Sequence, residues 1–169
     1  MAYKQKIPQA WKNIHPNVAK LPFIYNLDDA VGIGSPNKRL DVMMVQVFLQ
    51  RWDTIFFWTG SRDVVIQRPA YRPEGALPPN GAFDNRTLAW IFWYQLYTFG
   101  GLNQASLISG KVTPAAADGS SLLGIHTLLY LEGQMLDEDS GELKRNWFFD
   151  LSTDPNVPRD LVDALKNPR

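Results

Sequence analysis

The 169-residue sequence contains no cysteine and only two histidines, His15 and His126. The lack of cysteine excludes disulfide bonds, thiolate metal sites and a thiol nucleophile. The two histidines lie far apart along the chain, so the histidine pair one helical turn apart that is typical of many zinc sites is missing. No metal site and no cofactor are therefore predicted.

Long apolar runs are also missing from the sequence. No stretch reaches the about 18 consecutive apolar residues that a membrane-spanning helix needs. The first residues, Met1 to Pro8, contain no apolar core of the kind found in secretory signal peptides. We therefore expect no membrane span, and synthesis in the cytoplasm without a signal peptide.

Catalytic patterns are scarce as well. The chain has no Gly-x-Ser-x-Gly nucleophile elbow, and its carboxylates show no spacing that singles out an acid–base pair. By residue type alone, the candidates for such a pair are Glu74, Glu132, Glu138 and Glu142. No catalytic residue is assigned, and the sequence predicts a protein that is not an enzyme.

Acidic and basic residues are equal in number but unevenly distributed. Residues 1–117 carry 12 Lys and Arg against 7 Asp and Glu, whereas residues 118–169 carry 5 against 10. Two interpretations stay open: the two parts neutralise each other within one chain, or copies associate head to tail. Because Arg62, Arg68 and Arg72 are spread through a proline-rich segment without a dense basic run, no nucleic-acid partner is expected.

A first amphipathic helix is predicted from Val42 to about Phe57. Asp41 precedes it, and a carboxylate at that point is typical of a helix N-cap. One apolar stripe repeats at helical spacing, and a second lies on another side of the helix. The second stripe consists of Met44, Phe48 and Ile55. Both sides of this helix therefore need to be covered by other parts of the structure.

A second helix is predicted from Asp84 or Asn85 to about Tyr97. Asp84 suits its N-cap, and Gly81 suits a turn with positive φ just before it. This helix is apolar on nearly every side, and its large side chains are Leu88, Trp90, Phe92, Trp93, Tyr97 and Phe99. We expect the N-terminal arm, the C-terminal segment or a partner subunit to cover them.

A third helix is predicted from Ser120 or Ser121 to about Met135, and a short C-terminal helix after Pro158. The residues of that short helix expected to face inward are Leu161, Val162 and Leu165.

The order of motifs in the central region resembles a known family. The matching residues are Val42, Val45, Gln46 and Leu49, then Asn80-Gly81-x-Phe83, Thr87, Ile91, Tyr94 and Gln95, then Gly101-Leu102 and Gly110-x-Val112. This series is similar to the peptidoglycan-binding-domain-like family and covers roughly half of the chain, about residues 30–117. The resemblance implies a mainly α fold, a three-helix bundle stapled by glycine turns.

Three parts of the chain are expected around that bundle. Residues 1–29 form an N-terminal extended arm that lies against the domain. Residues 30–136 form the helical domain, with a long proline-rich insertion at 60–80 in which Val64–Ile66 could be a short strand of a hairpin. Residues 137–169 form a C-terminal helical extension that packs on the domain.

The resemblance also implies a function, which is non-catalytic binding of cell-wall peptidoglycan through a shallow groove near the glycine turns. Aromatic faces would stack on sugars, and amide or basic groups would bind hydroxyls and stem-peptide carboxylates. The residues expected to do so are Asn80, Asn85, Arg86, Trp93, Gln95 and Tyr97.

Five of these six residues also have a structural interpretation. Asn80 suits a turn, Asn85 and Arg86 suit solvated first-turn positions, Gln95 suits a side-chain-to-backbone clamp, and Trp93 suits the core.

Two other functions remain open. The module type is reused in phage tails and phage-like contractile injection particles, so the chain could be a structural or adaptor subunit that packs against copies of itself or other subunits. It could also be the targeting part of a secreted effector. In each case we expect it to act at the cell envelope or in a virion or injection particle.

Overall fold

The computed structural model describes residues 2–7, 9, 23–58, 72–99, 105–114, 151 and 154–166. Within these ranges the fold is mainly helical, with a few short strands. The helices are α1 (Arg39–Trp58), α2 (Asn85–Phe99) and α3 (Arg159–Leu165). The strands are β1 (Tyr3–Gln5), β2 (Ile24–Asn26), β3 (Val31–Gly32) and β4 (Lys111–Val112), with one 3₁₀ turn at Ala105–Leu107 before β4.

Helix α1 lies at the centre of the described fold and packs against α2 and α3. Nearly every side chain of its first three turns is buried, including Val42, Val45 and Leu49 of the first predicted stripe and Met44 and Phe48 of the second. The second stripe is covered in part by the N-terminal arm, because the rings of Phe48 and Tyr25 lie 6.0 Å apart. The N-terminal arm therefore covers part of the second apolar stripe of α1, which the sequence analysis expected to be covered.

The prediction that Asp41 is the N-cap of α1 is wrong. The helix begins at Arg39, and its first i to i−4 hydrogen bond runs from the N–H of Val42 to the carbonyl of Lys38 at 2.9 Å. Asp41 instead lies within the first turn, where its buried carboxylate accepts hydrogen bonds from the backbone N–H groups of Asp28 and Asp29, both at 3.2 Å. The side chain closes the loop between β2 and β3 because that loop packs on the start of the helix.

Helix α2 begins as predicted. Asp84 precedes it, and its Oδ1 accepts the N–H of Thr87 at 2.7 Å, which is the bond that defines an N-cap. The large aromatic side chains of α2 point into the core, with Trp90 and Trp93 each 1% exposed. The side carrying Asn85, Ala89 and Leu96 remains exposed, so α2 is covered on most sides but not on all.

Two small antiparallel sheets connect distant parts of the chain. Strand β1 pairs with β2, with Lys4 opposite Tyr25, so both strands of this sheet lie within the predicted arm, residues 1–29. Strand β3 pairs with β4, with Val31 opposite Val112. The second pair joins the loop before α1 to the segment that follows α2, and so brings the glycine turn at Gly32 beside the glycine turn at Gly110.

The described core is continuous across all three predicted parts of the chain. Ile24 and Leu27 of the arm, Leu49 of α1, and Leu161 and Leu165 of α3 belong to one buried cluster. Val162 is half-buried against it, so α3 follows the prediction made for the C-terminal segment. The predicted third helix at 120–135 and the hairpin at 64–66 lie outside the described residues.

Candidate ligand-binding surface

The second glycine turn, residues 80–82, is held by the side chain of Gln46 on α1. The Oε1 atom of Gln46 accepts the N–H of Gly81 at 2.9 Å. Its Nε2 donates to the carbonyl of Ala82 at 3.0 Å, to Oγ1 of Thr87 at 3.0 Å and to Oδ1 of Asn80 at 3.2 Å. Gln46 is 1% exposed, so one buried amide supplies both the acceptor and the donor that this turn needs.

The third glycine turn, residues 109–111, is held in the same way by Gln95 on α2. Its Oε1 accepts the N–H groups of Ser109 at 3.1 Å and Gly110 at 2.9 Å, and its Nε2 donates to the carbonyl of Lys111 at 2.8 Å. We call this arrangement, a side-chain amide bonded to the backbone of a glycine turn, an amide clamp. Gln46 and Gln95 form equivalent amide clamps on two successive helices.

A third amide clamp lies in the turn before α1. Asn37 Oδ1 accepts the N–H of Gly32 at 2.8 Å, and its Nδ2 donates to the carbonyls of Gly32 and Ser35, both at 3.0 Å. Asn37 itself has a positive φ of 50°, a conformation that asparagine tolerates better than most residues. Three glycine turns of the described chain, at residues 32–37, 80–82 and 109–111, are thus braced by amide side chains.

The start of α2 presents polar groups beside the second glycine turn. Asn85 and Arg86 are exposed, and Nη1 of Arg86 donates to the carbonyl of Ala76 at 3.4 Å. Asn80 is also exposed, and its Oδ1 accepts the N–H of Ala82 at 2.8 Å in addition to its bond from Gln46. The Thr87 N–H that bonds to Asp84 lowers the pKa of that carboxyl, so Asp84 stays ionised here.

The aromatic side chains of α2 form a buried cluster with Trp52 of α1. The ring of Trp52 lies 4.7 Å from that of Trp93, 4.9 Å from that of Tyr94 and 5.5 Å from that of Tyr97. Trp90 meets Trp93 edge to face at 5.3 Å. Such arrangements are favourable for aromatic quadrupoles, and they place Trp93 in the core while Tyr97 stays half-buried.

An arginine covers this cluster. The guanidinium of Arg72 lies 4.9 Å from the centre of the Trp90 ring and 5.9 Å from that of Trp93. It also donates Nε to Oδ1 of Asp53 at 2.7 Å and Nη2 to the other carboxylate oxygen. Sequence reasoning missed this group, because Arg72, in the segment before α2, meets Asp53 of α1 only in the tertiary structure.

The six predicted binding residues therefore fall into two sets. Asn80, Asn85 and Arg86 lie together at the second glycine turn and the start of α2. Trp93, Gln95 and Tyr97 lie nearer the other end of α2, where Trp93 is core and the Gln95 amide is bonded to the third turn. The first three residues are exposed within the segment 80–86, whereas Trp93 and Gln95 are buried and Tyr97 is half-buried.

Within the described ranges, no group of three or more His, Asp or Glu side chains is arranged to hold a metal ion. None of the described helices combines the length and apolar character that crossing a bilayer requires.

Among the residues that the structure describes, two ion pairs connect the basic and acidic parts of the chain. Arg51 of α1 pairs with Asp154, with side chains 12% and 26% exposed, and Arg39 pairs with Asp160 at 2.7 Å, with side chains about 60% exposed. Burial lowers the pKa of Arg51, although its guanidinium remains charged. Both pairs fit the interpretation in which the two parts neutralise each other within one chain.

Replacing Asp154 with asparagine is expected to lower the free energy of unfolding by about 2 kcal/mol, because it leaves the largely buried Arg51 without its carboxylate. Asparagine can keep the Oδ1 bond to the N–H of Asn156, so the loss reports on the ion pair. The matched change Asp160→Asn, at the exposed pair, is expected to change stability by less than about 1 kcal/mol. Equal losses in urea unfolding of the two variants would contradict this ranking.

Asp41 is expected to contribute to stability most strongly at acidic pH. Burial raises the pKa of its carboxyl above the usual value, so the folded chain holds this proton more tightly than the unfolded chain. Its contribution is present below the unfolded pKa of about 4 and is lost as the pH rises through the higher folded value. Wild-type stability relative to Asp41→Asn should therefore rise when urea unfolding is moved from neutral pH to pH near 4. A fall would contradict the assignment.

Comparison of the chain with known protein families, with curated proteins and with solved structures finds no match.

Proposed function

We propose that this chain is a non-catalytic binding module of the peptidoglycan-binding-domain-like type, with a three-helix bundle as its core, that binds the glycan–peptide of the bacterial cell wall. The observation that carries the proposal is the pair of amide clamps made by Gln46 and Gln95. Both glutamines, and the glycine turns that they brace, belong to the residues on which the family resemblance rests.

The surface at the second glycine turn is the proposed contact with the ligand. Asn85 and Arg86 are exposed there. Asn80 uses its Oδ1 within the turn, and its Nδ2 makes no hydrogen bond within the described chain, which leaves it as a donor. Amide donors suit sugar hydroxyls, and the guanidinium suits the carboxylates of stem peptides. Because the side chains of Trp93 and Gln95 are buried, they support the fold and do not contact the ligand themselves.

Co-sedimentation with purified sacculi tests this function. We expect the wild-type chain to pellet with sacculi, and Arg86→Ala to weaken binding about tenfold, since a charge-assisted hydrogen bond is lost. Arg159→Ala is the matched control, because Arg159 is likewise an exposed arginine in the first turn of a helix. A chain that stays in the supernatant, or equal weakening by both variants, would contradict the proposal.

A subunit of a phage tail or contractile injection particle is the second candidate. It is favoured by two large apolar side chains that are exposed in the described part of the chain, Ile33 at 53% and Leu96 at 43%, which would suit contacts with another subunit. In this case the chain should form oligomers in size-exclusion chromatography and ignore sacculi. Leu96→Asp should then shift the chain to the monomer without lowering its melting temperature.

A further inference from the structure

The guanidinium of Arg72 is held by a carboxylate and two aromatic rings, which are the kinds of group that bind a guanidinium ion. Asp53 binds the fork of the guanidinium through both carboxylate oxygens, and the rings of Trp90 and Trp93 lie within 6 Å of its central carbon. The two charged side chains are only 18% and 11% exposed. Bidentate carboxylate contacts and cation–π contacts are each stronger when they are shielded from water.

The groups that bind the guanidinium lie on helices, whereas the arginine that carries it lies outside them. Asp53 lies on α1, and Trp90 and Trp93 lie on α2, so two packed helices hold these groups in place. Arg72 lies outside both helices, in the non-helical segment 72–84 that leads into α2. The hydrogen bonds to Asp53 raise the pKa of Arg72, in keeping with a cation that is held by its partner.

We propose that Asp53, Trp90 and Trp93 form a guanidinium-binding site that the chain fills with its own Arg72, and that an arginine side chain of a partner peptide competes for the same site. Arg72 has the advantage of being attached to the same chain, which gives it a high effective concentration. The internal arginine therefore blocks the site, and an external arginine enters when Arg72 is withdrawn. This proposal is independent of cell-wall binding.

The test removes the Arg72 side chain by mutation and supplies a small guanidinium compound in solution. Arg72→Ala should bind ethylguanidinium, measured by quenching or shift of tryptophan fluorescence and by a rise in melting temperature. Its affinity should exceed that of the wild-type chain by at least about tenfold, since the wild-type site is already filled. Ethylurea, a neutral molecule of similar shape, should not bind, and the double variant Arg72→Ala/Asp53→Asn should lose the binding.

The outcomes that overturn the proposal are equally specific. They are a folded Arg72→Ala variant that binds ethylguanidinium no better than the wild-type chain, and a double variant that binds it as well as Arg72→Ala does. If Arg72→Ala does not fold by itself, recovery of cooperative unfolding in millimolar ethylguanidinium supports the site. Failure to recover under that condition counts against it.

Discussion

Replacing Gln46 with leucine is expected to lower the free energy of unfolding by about 3 kcal/mol. The side chain keeps its approximate volume, but the buried N–H of Gly81 loses its acceptor and is left unsatisfied, which costs about 1–3 kcal/mol. The carbonyl of Ala82 and the hydroxyl of Thr87 each lose a donor as well, and each lost bond costs about 1 kcal/mol. Urea unfolding monitored by tryptophan fluorescence measures the sum.

Gln50→Leu is the control for this variant, because Gln50 lies one turn further along α1 and is exposed. It makes the same chemical change at an exposed position, so it should cost clearly less stability than Gln46→Leu, whose amide is buried. Gln95→Leu should behave like Gln46→Leu, since it removes the acceptor of Gly110 and the donor to Lys111. If Gln46→Leu were as stable as Gln50→Leu, the amide clamp would have no energetic role.

Replacing Gly81 with alanine is expected to cost about 3 kcal/mol or more, since local strain of this kind lies at the high end of single-site effects. Gly81 has a φ of 76°, and a Cβ atom there would lie 2.7 Å from the backbone carbonyl oxygen of Arg39. The positive φ costs an L-residue about 1–2 kcal/mol. The collision adds to this, because the contacted oxygen is backbone at the start of α1 and cannot rotate away.

Gly75→Ala separates the two effects. Gly75 has the same φ of 76°, but a Cβ atom there meets nothing within 4 Å. We therefore expect it to cost only the conformational part, about 1–2 kcal/mol. Thermal or urea unfolding of both variants gives the difference directly. If the two losses were equal, the close approach between the second glycine turn and α1 would not contribute to stability.

Local sequence signals predicted the positions of the described helices closely. Helix α1 was expected from Val42 to about Phe57 and runs from Arg39 to Trp58, and α2 extends two residues beyond the expected Tyr97. The Asp84 cap and the glycine turn before α2 were also predicted correctly. These features depend on residues within one or two turns of each other, so the sequence contains what is needed to predict them.

Features that depend on distant partners were predicted poorly. Asp41 was assigned to the helix that follows it, yet its carboxylate binds the Asp28–Asp29 loop, which precedes it in the chain. For residues 1–29 the sequence predicted only an extended arm that lies against the domain, and it did not predict that β1 pairs with β2. A local pattern indicates that a group needs a partner, but many distant segments could supply one.

In the candidate site, too, local features could be predicted from the sequence, whereas those that depend on distant segments could not. Asn85 and Arg86 are exposed in the first turn of α2, as their sequence position suggested. Gln95 and Trp93 carry side chains equally suited to binding a ligand or to the interior, and residue type could not separate these roles. Their burial follows from the approach of the third glycine turn and of Trp52, which are contributed by other segments.

The sequence by itself determined which segments form the two long helices, where glycine bends the backbone, and that both long helices need cover on several sides, because these properties follow from neighbouring residues. Only the tertiary structure decided which groups provide that cover: Tyr25 against Phe48, Arg72 and Asp53 beside Trp90, and the glutamine amides on the glycine turns. The physical reason is that burial satisfies each apolar surface and each polar atom through whichever segment the packed chain brings within contact distance.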